Sequence, residues 1–564
     1  MANTLAANPL EFNAVFTCMP NRIPTRPALR RLSHVEYVNA IRQLTSVFED
    51  GAKVFEELNV TISNLVPQDA APLSTPTLLV GANFRELDQN EGQAHVEGMI
   101  AVAEAFAALA TNNTNRMRSL VGECSVDADA KNDDSCLAAF VEDFSTRALR
   151  RPPTNAELQY FTSVATDEGA QPGLTQQGIH DVIVVLLSSP QFLYQVENNG
   201  TVDSDGVVHL TPQEVATRLS FLFWQSPPDA QLMEAARTGE MDTPAGVLVQ
   251  ANRLRKDRRF RSVFDSFSEQ WLKLDKLPHP EAQVGQKNFD KMRGSFLPTA
   301  QLREHVSKEA LDFLAFVAEE GGLPAMFGSR QSFVSDADLA ELYNVAVWNG
   351  TGVAPSLPKE RTGLLTRAAL VMSGTASTRP IMKGVFIRRS VLCDELDDAP
   401  ANINRSEVPA LKAPYSVRQA VQALTENRIQ CSSCHEDINP LGYATENFDA
   451  LARLRNIEQH ISADGTALGE LPVNTETIPS ITQSDPRTVR DGVQLQELLS
   501  QSDKPASCLS RQLVRFALRT FENDNADGCT LEAVRLKLSR GAPLADAWTT
   551  YAISPAFRSF RKEP

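Results

Sequence analysis

Cys431-Ser432-Ser433-Cys434-His435 is the stretch of this sequence where residue types and spacing dictate a particular chemistry. Two thiols separated by two residues lie about one helical turn apart, so each can add to a vinyl group of one haem, and the imidazole that follows then falls beneath the iron. With 8 Cys and 8 His in 564 residues, random placement would give this pattern only about 0.002 times. The expectation is one covalently attached haem c, with Cys431 and Cys434 as its points of attachment and His435 as the proximal iron ligand. Three other readings use the same residues. A zinc site would require a fourth ligand, and the other Cys and His, such as Cys393 and His460, are isolated in the sequence. A thioredoxin-type dithiol would sit in a βαβ context, and a plain structural disulfide would need no histidine.

The other side of the iron is assigned less directly. All 10 methionines precede the motif. Met382, in Thr378-Arg379-Pro380-Ile381-Met382-Lys383-Gly384, is the best placed to supply a sixth ligand, and Met372 comes second. His460 is the only histidine after the motif. If none of these reaches the iron, the haem is five-coordinate and open to a small molecule. Arg453 and Arg455 either pair with haem propionates or remain solvated surface charges. The sequence contains no His-Glu-x-x-His, Gly-x-Ser-x-Gly, Walker loop or Gly-x-Gly-x-x-Gly.

These groups have to be held by helices, because the pattern is helical almost throughout. Ahead of the motif, Ser416 can cap a helix that lines one face with Val417, Val421 and Leu424. After it, Ile438–Tyr443 is expected to wrap back before a helix over Thr445–Arg455 carrying Phe448 and Leu451. Elsewhere, Ser33/Glu36, Thr154/Glu157 and Thr211/Glu214 read as capping boxes, the first with a Leu32–Tyr37 staple and the last with Pro212 at the first helical position. Asp203-Ser204-Asp205-Gly206 reads as the turn of a tiny hairpin rather than half of a calcium loop, since the later carboxylates of such a loop are missing. Polar linkers near 112–115, 276–286, 350–360, 397–413 and 471–488 suggest several packed helical modules: 1–120, 121–200, 201–350, a cytochrome c-like module at 351–470, and 471–564. The fold class is therefore all-α, with few short strands.

Composition narrows the function classes. With 54 Lys+Arg against 70 Asp+Glu the chain carries a formal charge of −16, which disfavours nucleic acid and anionic lipid as partners. The longest apolar runs, such as Val182–Leu187, stop far short of the roughly 20 residues of a membrane span, so no transmembrane segment is expected. The first residues show neither the basic nor the apolar region of a secretory signal. Yet the 8 cysteines are an even set with close pairs, as in an oxidising compartment. We therefore read the protein as periplasmic, secreted or at the cell surface, with its signal peptide trimmed or lying upstream. The six cysteines outside the motif allow fifteen connectivities. Short loops favour Cys124–Cys136 and Cys508–Cys529, which leaves Cys18 with Cys393, or Cys393 as a free buried thiol.

Motifs spread along the chain resemble a family. Phe16-Thr17-Cys18, Leu29-Arg30-Arg31-Leu32-Ser33 and Glu36-Tyr37 with Asn39 come first, followed by Ala148-Leu149-Arg150-Arg151-Pro152 with Glu157. Leu187–Glu197, Arg218-Leu219-Ser220, Phe223-Trp224, Pro228-Asp229 and Gln270-Trp271-Leu272 come next. Gly363-Leu364-Leu365-Thr366, Pro380 with Lys383-Gly384, Leu392-Cys393, the Cys431–Arg455 segment, and Cys508 with Arg511–Arg519 complete the order. Together they are similar to large bacterial multi-module c-type cytochromes of unknown function, known as planctomycete cytochrome C with associated planctomycete surface-domain modules. The chain departs from that pattern at Asn439, where the family usually reads Asp, and at Ala452 and Leu518, where it usually reads Gly.

The resemblance implies a secreted or periplasmic, haem-bearing helical protein and supplies no established reaction. The leading expectation is electron transfer through one haem to or from a redox partner protein. A haem-dependent oxidoreductase with five-coordinate iron, acting on a bulky small-molecule or polymer substrate or on peroxide, is the alternative enzyme reading. A third reading is a surface-associated binding module within a polymer-degrading assembly.

Overall fold

The computed structural model describes residues 15–20, 22–27, 29–71, 84–166, 174–396, 411–427, 429–482 and 485–562. The chain is mainly helical with a few short strands. Helices begin where a side chain can take up their first free amides. Ser33 accepts from the Glu36 amide while the Glu36 carboxylate accepts from the Ser33 amide at 2.8 Å, opening His34–Thr45. Thr211 and Glu214 do the same ahead of Pro212–Trp224, as do Thr154 and Glu157 ahead of Asn155–Thr166, and Ser416 and Gln419 ahead of Val417–Val421. Each cap contributes about 1 kcal/mol.

Burial sorts these helices into two cores. The first is built from His34–Thr45, Gly51–Leu65, Gln93–Thr111, Asp133–Leu149 and Gln176–Leu187, which meet through Tyr37, Val102, Phe106, Phe140, Phe144 and Ile183. Gln93–Thr111 is long and apolar enough, by length and composition alone, to cross a membrane. It packs on Gly51–Leu65 and Gln176–Leu187, and its Met99, Val102, Phe106 and Ala110 are buried. The second and larger core joins Phe16, Phe84 and Leu87 to residues from Val215 to Phe557 around a cluster of rings. Phe267 packs against Phe84, Phe516, Trp271 and Trp548, with centroids 5.5 to 5.9 Å apart. Burying each such ring contributes about 1.5–3 kcal/mol.

The strands tie distant parts of the chain together. Thr25–Arg26 lies parallel to Ser559–Lys562, which pairs antiparallel with Val207–His209, and that strand in turn pairs with Thr201–Val202. Thr201–His209 is the expected hairpin. Leu29–Arg31 pairs antiparallel with Tyr194–Val196.

Two of the expected disulfides are corrected. Cys124–Cys136 forms, but Cys18 bonds Cys529 and Cys393 bonds Cys508. Loop length does not decide the long pairs, because tertiary packing brings their backbones together first. The Phe16 amide donates to Glu532 at 3.2 Å, and the backbone at Thr17 passes so close to Gly528 that a β-carbon there would sit 2.2 Å from the Thr17 carbonyl oxygen. Three disulfides fit an extracytoplasmic protein.

The expected helix over Thr445–Arg455 is also corrected. Asp449 accepts from the amides of Leu451 and Arg453, both at 2.9 Å, and folds the chain into turns. Ala452 follows at φ +65°, in the left-handed region. Next comes a hairpin that the linker reading missed, Ile457–Ile461 against Ala467–Pro472, turning at Asp464-Gly465.

Candidate functional site

The motif lies in the first part of the helix Ile429–Tyr443. Ile438–Tyr443 does not wrap back, as expected, but continues this helix with Pro440 inside it. Helix Val417–Val421 leads in through a widened π turn, Gln422–Glu426. On the helix, Cys431 and Cys434 stand one turn apart, Cys434 exposed and Cys431 partly so. Every other cysteine is in a disulfide, so these two are the free thiols of the molecule.

His435 is oriented by a residue the sequence reading did not assign to the site. Its Nδ1 lies 3.0 Å from Oδ1 of Asn439, one turn further along the helix. The direction of that bond follows from the other end of the amide. Asn439 Nδ2 donates to Thr425 Oγ1 at 2.9 Å and to Glu426 Oε1 at 3.1 Å, so Oδ1 must face the imidazole as an acceptor. His435 therefore carries its proton on Nδ1, and the lone pair resides on Nε2, which no described residue engages. Glu426 is held in turn by the Tyr443 hydroxyl at 2.8 Å. Burial, and then the Glu426 carboxylate, raise the Tyr443 phenol well above its ordinary value, so it stays a donor. The π turn presents the neighbours Thr425 and Glu426 to the same amide. The i to i+4 spacing of His435 and Asn439 on a helix is the signal that could have revealed this pairing.

The far half of the helix is fixed by close packing and buried charge. A β-carbon on Gly384 would sit 1.9 Å from the Ile438 carbonyl oxygen, and one on Gly442 would sit 1.9 Å from that of Pro380, so helix Pro380–Phe386 crosses the motif helix in backbone contact. Arg388 donates to the Asp437 carbonyl at 2.9 Å and to the carbonyls of Pro479 and Ser480 at 2.9 and 2.8 Å. It also pairs with Asp394 at 3.0 Å, and Asp394 takes the Lys504 ammonium at 2.5 Å. Glu446 accepts from the Thr378 hydroxyl and from Lys383 at 2.7 Å.

The candidate sixth ligands fall elsewhere. Pro380 and Gly384 face the motif helix, and Met382, two residues on from Pro380, points to the opposite side of its own helix. It is 61% exposed and borders a cleft that Met372 and Lys273 also line. The structure does not bring Met382 to His435. The His460 ring lies against that of Tyr415, centroids 3.9 Å apart and planes tilted by 50°, and its Nδ1 accepts from the Tyr415 amide at 3.1 Å, which places its proton on Nε2. Arg453 is held by Asp449 and by the carbonyls of Met292 and Arg293, and Arg455 faces Glu446 and Glu458.

The residues fit a covalently bound haem better than the competing readings. Two free thiols on one face and an imidazole with its Nε2 lone pair open form the required donor set. Among the described residues no three His, Cys, Asp or Glu are grouped to hold a metal ion, whereas a structural zinc site takes four such ligands. The motif lies in a helical region outside any βαβ unit, and its two cysteines are unbonded while the other six are paired.

Three family models match the chain, each described as a protein of unknown function: PSD5 (DUF1595) over residues 136–197, PSD4 (DUF1592) over 210–345 and PSCyt3 (DUF1588) over 361–458. The PSCyt3 segment contains the motif helix and the Arg388 and Glu446 contacts that fix it. No curated protein and no solved structure matches the chain.

Proposed function

Given that the chain belongs to a multi-module, planctomycete cytochrome-associated family of unknown function, we propose that it is a single-haem c-type redox protein of the periplasm or cell surface. The observation that carries this reading is the division of the cysteines: six are spent in disulfides, and the two left free are those of Cys431-Ser432-Ser433-Cys434-His435. Cys431 and Cys434 would hold the porphyrin and His435 the iron through Nε2. When bound, the haem supplies a one-electron couple whose potential depends on axial ligation, hydrogen bonding and burial. Asn439 keeps the proton on His435 Nδ1 and fixes the ring plane, while Thr425, Glu426 and Tyr443 keep Asn439 from rotating. The −16 charge of the chain suits a basic electron-transfer partner.

Expression with the cytochrome c maturation machinery, followed by denaturing electrophoresis and haem staining, tests the proposal. Haem retained on the wild-type chain and lost from Cys431→Ser/Cys434→Ser supports it; no retained haem refutes it. The placements of Met382 and His460 favour a second reading, a haem-dependent oxidoreductase with an exchangeable sixth position. The optical spectrum separates the two. A low-spin spectrum indifferent to cyanide and CO marks the electron carrier, and a high-spin one that shifts with either ligand marks the enzyme.

A further inference from the structure

A cavity of about 210 Å³ lies far from the motif in sequence, where Arg26 and Arg30, the strand Tyr194–Val196, the helix Pro212–Trp224 and the C-terminal residues 517–557 meet. Its polar wall holds Arg26, Arg30, Arg218, Arg519, Glu197 and Tyr551. The charges do not balance. Arg218 is matched by Glu197, with one contact at 2.7 Å, and also donates to the Phe557 carbonyl. Arg26 is matched by Asp527 at 2.5 Å. Arg519 and Arg30 have only Glu36 between them: Arg519 contacts it closely, and Arg30 reaches it at 3.5 Å, the limit of a hydrogen bond. The wall's four guanidiniums thus meet three carboxylates, with the surplus on Arg30; Arg150, a fifth guanidinium near Glu36 and Arg30, lies outside the wall and is held by the carbonyls of Gln191, Phe192 and Tyr194. Burial and the neighbouring Arg519 pull the Arg30 guanidinium down to about 10, in line with that surplus.

Among the residues that line the cavity the unsatisfied groups are donors; Glu36 Oε1, also buried without a partner, lies outside the lining. Arg30 has no second partner among the described residues. The Tyr551 side chain is 95% buried or more and its hydroxyl bonds no described residue, while burial raises its pKa and keeps it protonated. Gln195 Nε2 is buried without a partner. Opposite them, Phe221, Leu222, Leu518, Phe521 and Phe557 make an apolar wall. A single surplus positive charge, converging donors and apolar walls suit a monoanion with an apolar body. A dianion such as sulfate would leave one charge unpaired in a low-dielectric site. For scale, a cavity of about 150 Å³ admits benzene.

We infer that this cavity binds a small organic monocarboxylate of about the size of benzoate, with the carboxylate on Arg30 and Tyr551 and the body against Phe221 and Phe557. The site does not depend on the haem, so it stands or falls separately from the redox reading. Isothermal titration of the full-length protein with sodium benzoate tests it, with benzamide and sodium sulfate as the comparison ligands. Saturable benzoate binding is expected, roughly tenfold or more tighter than benzamide, and weakened roughly tenfold by Arg30→Gln and several-fold by Tyr551→Phe. Tyr551→Phe retains the ring and so serves as the check should Arg30→Gln fail to fold; non-reducing peptide mapping of Cys18–Cys529 reports whether each variant folded. Absence of benzoate heat in the wild type, equal binding of benzamide, displacement by sulfate at equal concentration, or benzoate affinity unchanged in folded Tyr551→Phe would each overturn the inference.

Discussion

Within one helix, residues 431–436 and residues 437–443 live in different surroundings. In the first stretch the thiols are unbonded, and Ser433, Cys434 and Glu436 are exposed. In the second, Asp437 gives its carbonyl to Arg388, Ile438 and Gly442 touch a crossing helix through backbone, and Asn439 is completely buried with both ends of its amide bonded. Attachment chemistry needs access, and a fixed imidazole needs burial. The helix meets both needs by changing environment midway while its backbone continues, and His435 sits at the boundary with its Nδ1 facing the buried side.

Substitutions can break or sharpen this contrast. The largest effect expected is on attachment: Cys431→Ser/Cys434→Ser removes all covalent haem from the denatured chain, yet shifts the urea-unfolding free energy of the haem-free protein by no more than about 0.5 kcal/mol. Loss of stability on that substitution would mean that the first stretch is structural after all. In the second stretch, Arg388→Met leaves Asp394 short of one cation and strips donors from the carbonyls of Asp437, Pro479 and Ser480. It should cost about 3–5 kcal/mol in urea unfolding. Gly384→Val drives a side chain into the Ile438 carbonyl and should cost about 2–3 kcal/mol by the same measurement.

Asn439→Ala should cost about 1–3 kcal/mol, since it deprives Thr425, Glu426 and His435 of their common partner. In the haem-loaded protein it should also move the reduction potential, a readout that simple loss of packing would leave in place. The smallest effect belongs far from the motif. Hydrogen bonds from Arg151 draw the Glu157 carboxyl down to about 2 from 4.5. The folded value lies below the unfolded one, so this contribution is complete above about pH 4.5 and fades as the pH falls toward 2. The melting difference between wild type and Glu157→Gln should be flat above pH 5 and shrink below it, by under about 1 kcal/mol because the pair is partly solvated.

Features within a few residues of one another were legible in the sequence. The boxes at Ser33, Thr154 and Thr211 and the turn at Asp203–Gly206 need no partner from elsewhere, and each forms as read. The motif itself is of this kind. The supports were less legible because they come from far along the chain: Arg388 stands 49 residues before the carbonyl it holds, and Lys504 lies 110 from Asp394. Asn439 could have been found from spacing, but the amide's orientation depends on a π turn that no residue pattern announces. The Thr445–Arg455 segment has helical apolar spacing yet forms turns, because Asp449 bonds the amides two and four residues on. Asp464-Gly465 is a local hairpin signal, and the hairpin Ile457–Ile461 with Ala467–Pro472 turns there.

The bond between Cys18 and Cys529 closes a loop spanning 511 residues of sequence, and Cys393–Cys508 closes a smaller ring inside it. A protease that cuts the backbone once anywhere between these two ends opens the ring without releasing a piece. On a non-reducing gel such a nicked molecule migrates as a single species, and its fragments separate only after the disulfides are reduced. Damage at one loop therefore leaves the Cys431–His435 region covalently joined to both ends of the chain.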